Sequence, residues 1–379
     1  MSTIRFLTAG ESHGPALTTI VEGFPAGLTV DKEAIDRDLA RRQAGYGRGK
    51  RMAIERDHVE VLSGVIAGRT TGAPIALRIK NRDWENWRAR WEADDLPSLT
   101  IPRPGHADYA GMIKYGLTDA RPILERASAR ETAARVAAGA LAKELLSSFG
   151  INLGSWVSEI GGIAATIPDL PLRELWERAE KSDVRCPDEE TGRQMQEAID
   201  AAREAGDSLG GVFAVVANGV PKGLGSHVHW ERRLDGRLAA ALMSIPAIKG
   251  VEIGSAFANA RQPGTKVHDE ILPDEREGTR RATNRAGGIE GGMTNGEPVI
   301  VHAAMKPIPT TVTPQRSIDL ATGKPAQTRY QRSDVCAVPA AAIVGEAMLA
   351  WVLADALVRK LGGDSVTEMR AHWEKTYEK

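Results

Sequence analysis

The stretch from Val338 to Val358 constrains this chain most. It is apolar apart from Glu346 and Asp355. Acids inside such a run suit a packed interior better than lipid, so it reads as a buried helix and not a membrane span. The helix is expected over Ala340–Leu361, ending at Gly362-Gly363. The 379 residues are 42% hydrophobic and 26% charged, an ordinary globular balance. No low-complexity linker or fixed-period repeat divides them, so one large domain over 1–379 is expected.

Elsewhere the periodicities are those of short helices and hairpins. Helical spacing covers 31–43 through Ile35 and Leu39, 189–205 through Met195, Ile199 and Ala202, and 234–245 through Leu234, Leu238 and Leu242. The clearest helix is Ser128 to Phe149, where Ser128 and Glu131 suit a capping box and Gly150 a terminus. Val59 and Val61, then Ile75, Leu77 and Ile79, read as two strands joined around Gly68–Gly72. Val212–Val216 reads as a buried strand, and Val299–Met305 as an alternating one. Strands and helices do not alternate as in a doubly wound sheet. The fold class expected is α+β, with antiparallel hairpins packed on helices.

Charge narrows the function. There are 49 basic and 50 acidic residues, so the chain is no bulk neutraliser of nucleic acid. Of the basic residues 35 are arginines, the side chain suited to planar binding of carboxylates and phosphates. Localised anion sites are therefore expected. Two cysteines, Cys186 and Cys336, exclude a disulfide framework and suit a reducing cytoplasm. Met1–Gly14 shows no charged start followed by an apolar run, so no signal peptide is expected.

Several segments look chemical, each with a plainer alternative. Gly10-Glu11-Ser12-His13-Gly14 lets backbone approach a ligand and presents an imidazole, or is a turn with an incidental histidine. Arg41–Arg56 carries six cations against Glu55, but its Gly45–Lys50 spacing fails the phosphate-loop pattern. It is a basic anion-binding loop, a solvated turn or an RNA-binding patch. Arg103-Pro104-Gly105-His106-Ala107-Asp108 could hold a general acid oriented by Asp108, or is a structural turn. Glu125–Thr132 runs into a helix start that favours an anion, or is a capping box with surface arginines. Gly287–Gly296 has five glycines without a dinucleotide-binding fingerprint, which counts against an ordinary NADP oxidoreductase. Lys306–Thr311 sets a cation and two hydroxyls in a proline-rich loop. His227 and His229 would share one face of a strand, without a third metal ligand, so no metal is expected. Trp84, Trp87 and Trp91 have helical spacing and pack a core, meet another subunit, or cover a site.

Five of these segments, Gly10–Gly14, Arg41–Met52, Arg103–Asp108, Glu125–Thr132 and Gly287–Gly296, together with Arg332-Ser333-Asp334-Val335-Cys336, an arginine two residues before an acid, occur in the order found in the chorismate synthase family, which the chain resembles from Arg5 to about Gly363. The resemblance implies a β-α-β sandwich and a cytoplasmic homotetramer. It implies a lyase that needs reduced FMN and removes phosphate from 5-enolpyruvylshikimate 3-phosphate by 1,4-anti elimination. NADPH, through the protein's own activity or an external flavin reductase, is the implied source of reduced flavin. His13 is then the proton donor to the leaving phosphate, His106 assists protonation of the flavin, and Asp334 helps remove the other hydrogen. Arg126, Ala127, Ser128, Ala247 and Gly291 match flavin contacts, as do Lys306, Pro307, Ile308, Pro309, Thr310 and Arg332. Arg42 and Arg48 match arginines for NADP or a substrate anion, and Arg130 is a further candidate for the substrate phosphate. The sequence departs from the family pattern at Ser333, where histidine is common, and at Pro246, where an amide side chain is common.

Overall fold

The computed structural model describes residues 4–49, 56–93, 95–274, 278–329 and 334–378. Its centre is a pair of helices, Thr132–Ser147 and Val338–Leu361, lying between two antiparallel sheets. The first sheet orders its strands Arg5–Ala9, Ala16–Glu22, Ile75–Lys80 and Val59–Ser63. The register sets Leu17 opposite Ile79, Thr19 opposite Leu77 and Val21 opposite Ile75. All six side chains are buried on the helix side, as period-two alternation requires. The second sheet orders Ile248–Ile253, Val299–Met305, Gly211–Asn218, Asn152–Ile160 and Ile163–Ala164. Phe213 and Val215 pack toward Gly345 of the long helix, while Ala214 and Val216 join Trp156 under the Leu172–Lys181 helix. That strand is covered on both faces, which is why its sequence is an unbroken apolar run.

The two central helices touch where side chains are smallest. A Cβ added at Gly139 would stand 2.3 Å from Ala347 Cβ, so glycine permits the close crossing. The acids of the apolar run are both satisfied. Glu346 is fully buried and accepts from Arg41, from Lys143 Nζ at 2.6 Å and from Ser155 Oγ at 2.6 Å, with Arg185 at 3.5 Å. Burial alone would raise its carboxyl, but these cations outweigh burial and hold it well below the usual range. Asp355 accepts from the Ile4 amide, Arg237 and Arg359. The Val338–Leu361 helix is long and apolar enough to cross a membrane, yet it lies buried within this fold.

Two sequence expectations are corrected. The Ser128–Phe149 helix is in fact Thr132–Ser147, preceded by a 3₁₀ turn over Ala129–Glu131 and a separate helix Arg121–Ala127. Ser128 Oγ caps the turn by accepting from the Arg130 amide, but no capping box forms. The Glu131 carboxylate is drawn away by Thr8 Oγ1 at 2.7 Å and Arg135 Nε at 2.9 Å. His227 and His229 lie in a bend before a 3₁₀ turn, not on a strand.

One half-buried acid has a pH consequence. Glu144 on the first central helix accepts from the Asp31 amide through Oε1, while Oε2 is buried with no hydrogen-bond partner. Burial pushes its carboxyl up to about 7, and nearby Asp31 and Asp38 add to the rise. The folded chain therefore holds this proton where the unfolded chain has lost it. Stability from this group is complete below the unfolded value near 4.5 and is lost as pH rises toward 7. Glu144→Gln keeps an acceptor for Asp31. It is expected to stabilise the protein above neutral pH and to flatten the decline between pH 5 and pH 8, as measured by denaturant midpoints.

Candidate active site

Loops from both sheets and the ends of several helices surround one cavity of about 940 Å³. That is near the upper end of the ~300–1,000 Å³ usual for small-molecule sites. Seven arginines and Lys306 line it against three carboxylates, Glu125, Glu131 and Asp334. Its apolar wall includes Ile245, Pro246, Met305, Ala341 and Val344.

His13 enters on the loop between the first two strands. Gly10 makes that loop possible: its φ is +112°, and a Cβ there would sit 2.4 Å from the Ala16 carbonyl oxygen. His13 Nδ1 lies 2.9 Å from Glu125 Oε1, and Trp87 stacks against the ring with centroids 4.2 Å apart. Trp87 thus lines the site beside His13, while Trp84 and Trp91 pair with each other.

His106 enters from the Arg103–Asp108 turn. Its Nδ1 is 2.5 Å from Asp108 Oδ1, and Arg103 binds the same carboxylate through Nε at 2.8 Å. Burial raises the Asp108 carboxyl, but His106 and Arg103 outweigh it and hold it well below its ordinary range. Arg103 Nη2 also approaches Nδ1 at 3.0 Å, but the closer ionised carboxylate can only accept, so Nδ1 carries hydrogen and Nε2 is left for the cavity. Two bridges tie this turn to the next loop: Arg103 Nη1 to Thr310 Oγ1 at 3.1 Å, and Lys306 Nζ to the Gly105 carbonyl at 2.8 Å. Lys306 is also held to Ala247, whose carbonyl accepts the Lys306 amide at 3.0 Å. Ala247 has φ +68°, a left-handed conformation rare for a residue with a Cβ and one that gathers at functional sites.

In the basic stretch Arg41, Arg42 and Arg48 turn inward, Arg56 is exposed, and Lys50 and Arg51 lie outside the described residues. Arg41 is spent on Glu346, Glu180 and Asp38. Arg48 Nη1 pairs with Asp334 Oδ2 at 2.7 Å, and the Gly49 amide donates to Oδ1 at 2.6 Å. Arg42 is buried and donates to Thr132 Oγ1 and the Ala129 carbonyl. Its Nη1 has no hydrogen-bond acceptor and stands 3.6 Å from Asp57. Burial pushes this guanidinium down to about 9, Asp57 only partly offsets it, and Arg130 and Arg48 lower it further. An arginine stays charged at neutral pH regardless, so this strain is a standing demand for an anion. Among the described residues, Arg41, Arg42 and Arg48 are thus taken up inside the fold and offer no exposed RNA-binding patch.

The candidate residues do not all converge. His13, His106, Asp334, Arg42, Arg48, Arg126, Ala127 and Ser128 line the cavity, with Ala247, Lys306, Ile308, Pro309 and Thr310. Arg126 stands at the rim and donates to Thr8 Oγ1 at 2.7 Å. Pro307 is not part of the lining, and Gly291 lies off it in the turn between Ile289–Glu290 and Met293–Thr294. Arg332 lies outside the described residues. Arg130 touches the cavity, but its guanidinium faces Asp57 at 2.6 and 2.7 Å and Asn81 at 2.8 Å. It is first a structural cation. Sequence reasoning gave no role to Glu125, Asp57 or Arg135. Only the acid inside the Glu125–Thr132 motif offered a signal.

Such a site defines a class: an enzyme that takes a small polyanion against an apolar wall and offers it two carboxylate-held imidazoles. Comparison with known proteins narrows this. The chorismate synthase family model matches residues 4–358. The chain is 59% identical to the chorismate synthase of Desulforudis audaxviator, over 97% of this chain and 95% of that one. It is 54% identical to that of Geobacter sulfurreducens, over 98% of each. A solved structure, "Crystal Structure of Chorismate Synthase", superposes with a TM-score of 0.81 at 46% identity, covering 99% of this chain and 97% of that one. The chain belongs to the chorismate synthase family. It is accordingly a lyase of the shikimate pathway, on the route to aromatic amino acids, and the α+β sandwich is the fold expected of it.

Proposed function

We propose that this chain, acting as one folded unit, converts 5-enolpyruvylshikimate 3-phosphate to chorismate and phosphate by 1,4-anti elimination, with reduced FMN in the same cavity. The observation that carries this reading is the pair of imidazoles, His13 on Glu125 and His106 on Asp108, opening on one arginine-lined cavity. A substrate with one phosphate and two carboxylates calls for several guanidiniums. The cavity also fits a flavin: an apolar wall for a flat ring system, and Arg126 and Lys306 for its phosphate and carbonyl oxygens. When bound, reduced FMN supplies electron density to the elimination and, at N5, an acceptor for hydrogen, with no net redox change.

The protein's own groups do the rest. His13 gives a proton from Nε2 to the leaving phosphate. His106 holds a proton at Nε2 for the flavin. Asp334 has both oxygens engaged, by Arg48 and the Gly49 amide. A substrate anion drawn to Arg48 competes for that guanidinium and releases one carboxylate oxygen as hydrogen acceptor. We assign Arg42 and Arg48 to the substrate anion rather than to NADPH, because Arg42 is only 4% exposed. Cys186 and Cys336 are free and buried, which suits a cytoplasmic setting. Leu7, paired across strands with Ile20, and Leu62 expose an apolar outer face on the first sheet, which suits subunit contact in a homotetramer.

The test is anaerobic assay of the purified protein with substrate and reduced FMN. Release of phosphate with formation of chorismate is expected; no phosphate release would sink the reading. Aerobic turnover of the protein alone with NADPH and oxidised FMN is the mark of an intrinsic flavin reductase, and failure there with success anaerobically points to an external one.

A further inference from the structure

The His13 ring is held on two sides by groups to which the elimination assigns no part. In the ring plane, Nδ1 lies 2.9 Å from Glu125 Oε1. The other carboxylate oxygen, Oε2, accepts from Ser12 Oγ at 2.7 Å and from the His13 amide at 2.8 Å. Ring, hydroxyl and backbone of one loop therefore converge on a single carboxylate from the Arg121–Ala127 helix, itself 2% exposed. Burial raises that carboxyl, but the hydrogen bonds from His13 and Ser12 outweigh burial and keep it below its ordinary value. On the ring face, Trp87 stacks at 4.2 Å.

We infer that Glu125 is the positioning residue of His13: it fixes the ring's orientation and its Nδ1–H tautomer, so that Nε2 faces the cavity and is the atom that exchanges the proton. An ionised carboxylate has no hydrogen to give, so the ring nitrogen against it must be the donor. The other nitrogen is then left for chemistry, since each ring nitrogen's role is set by what the other one binds. The inference rests on His13 as proton donor. In that step the Nε2–H bond breaks, the proton passes to the leaving phosphate oxygen, and the electron pair stays on Nε2. Nδ1 keeps its hydrogen and Glu125 stays ionised throughout.

The rival account makes Glu125 a structural tie between the loop and the helix. Glu125→Gln separates the two. The amide has the carboxylate's shape, and its oxygen can still accept from Ser12 and the His13 amide, but its NH₂ then faces Nδ1 as a donor and cannot hold the Nδ1–H tautomer. Phosphate-release kcat is expected to fall by about 10²-fold with KM changed little. The double variant His13→Asn/Glu125→Gln is expected to be no slower than His13→Asn alone, because Glu125 acts through the ring. Additive losses overturn the inference. A spectrum of the wild-type chain with ¹⁵N-labelled histidine, at alkaline pH, needs no variant to fold. His13 should show the Nδ1–H tautomer, and the Nε2–H tautomer overturns the inference. A slow His13→Asn with a fast Glu125→Gln removes the positioning role alone. A fast His13→Asn removes the proton-donor reading beneath it.

Discussion

Replacing His13 by asparagine is expected to slow phosphate release by about 10²- to 10⁴-fold, the range a positioned general acid supplies. Asparagine is the informative choice. Its amide can still donate to Glu125, so the buried carboxylate keeps a partner and the Gly10–Gly14 loop keeps its anchor. It cannot give up a proton near neutral pH, as imidazole can. The loss should fall on kcat. The guanidiniums expected to bind the substrate, Arg42 and Arg48, come from another segment and are untouched by the change. Single-turnover phosphate release with reduced FMN and saturating substrate measures the effect. A rate within a few-fold of wild type would take the proton-donor role away from His13.

The second large effect concerns stability. Asp57 is buried between two arginines: Arg130 Nη1 is 2.6 and 2.7 Å from its two oxygens, and Arg42 Nη1 is 3.6 Å away. Removing one side of a buried ion pair leaves a charge that neither water nor protein compensates, at a cost of about 3–5 kcal/mol. Asp57→Ala leaves two such charges facing each other, with Arg48 close enough to add to the strain on Arg42. A marked drop in the denaturation midpoint is expected without any ligand present. Inorganic phosphate should restore part of it, because an anion entering the cavity supplies the missing charge and binds only the folded state. A variant as stable as wild type, or one that phosphate does not help, would show that these cations do not form one buried electrostatic unit.

Much of this was legible in the sequence, and for local reasons. Alternation at Ile75, Leu77 and Ile79 predicts a strand because side chains alternate across a sheet, and the strand is there. The stripe through Met195, Ile199 and Ala202 predicts a helix that buries those residues, and it does. The Ser128 helix start was misplaced because its capping glutamate had better partners: Thr8 and Arg135 compete for Glu131, and Thr8 is distant in sequence. Arg130 stands in the sequence as a candidate for the substrate phosphate for the same reason, since its partner Asp57 is far along the chain and invisible to any spacing rule.

By itself the sequence determined that an apolar helix holding Glu346 and Asp355 must be buried, that strands and helices combine as α+β, and that His13 and His106 sit in glycine-bearing loops able to reach a ligand. It also held an excess of arginine over lysine, pointing to localised anion sites. The tertiary structure alone decided which acid each cation meets: Arg41 with Glu346, Arg130 with Asp57, Arg48 with Asp334. It alone placed His13 on Glu125 and under Trp87. The physical reason is range. Backbone periodicity and turn chemistry act over a few residues and leave a pattern in the sequence. Charge pairing in a buried site depends on distances that exist only once remote segments have packed together.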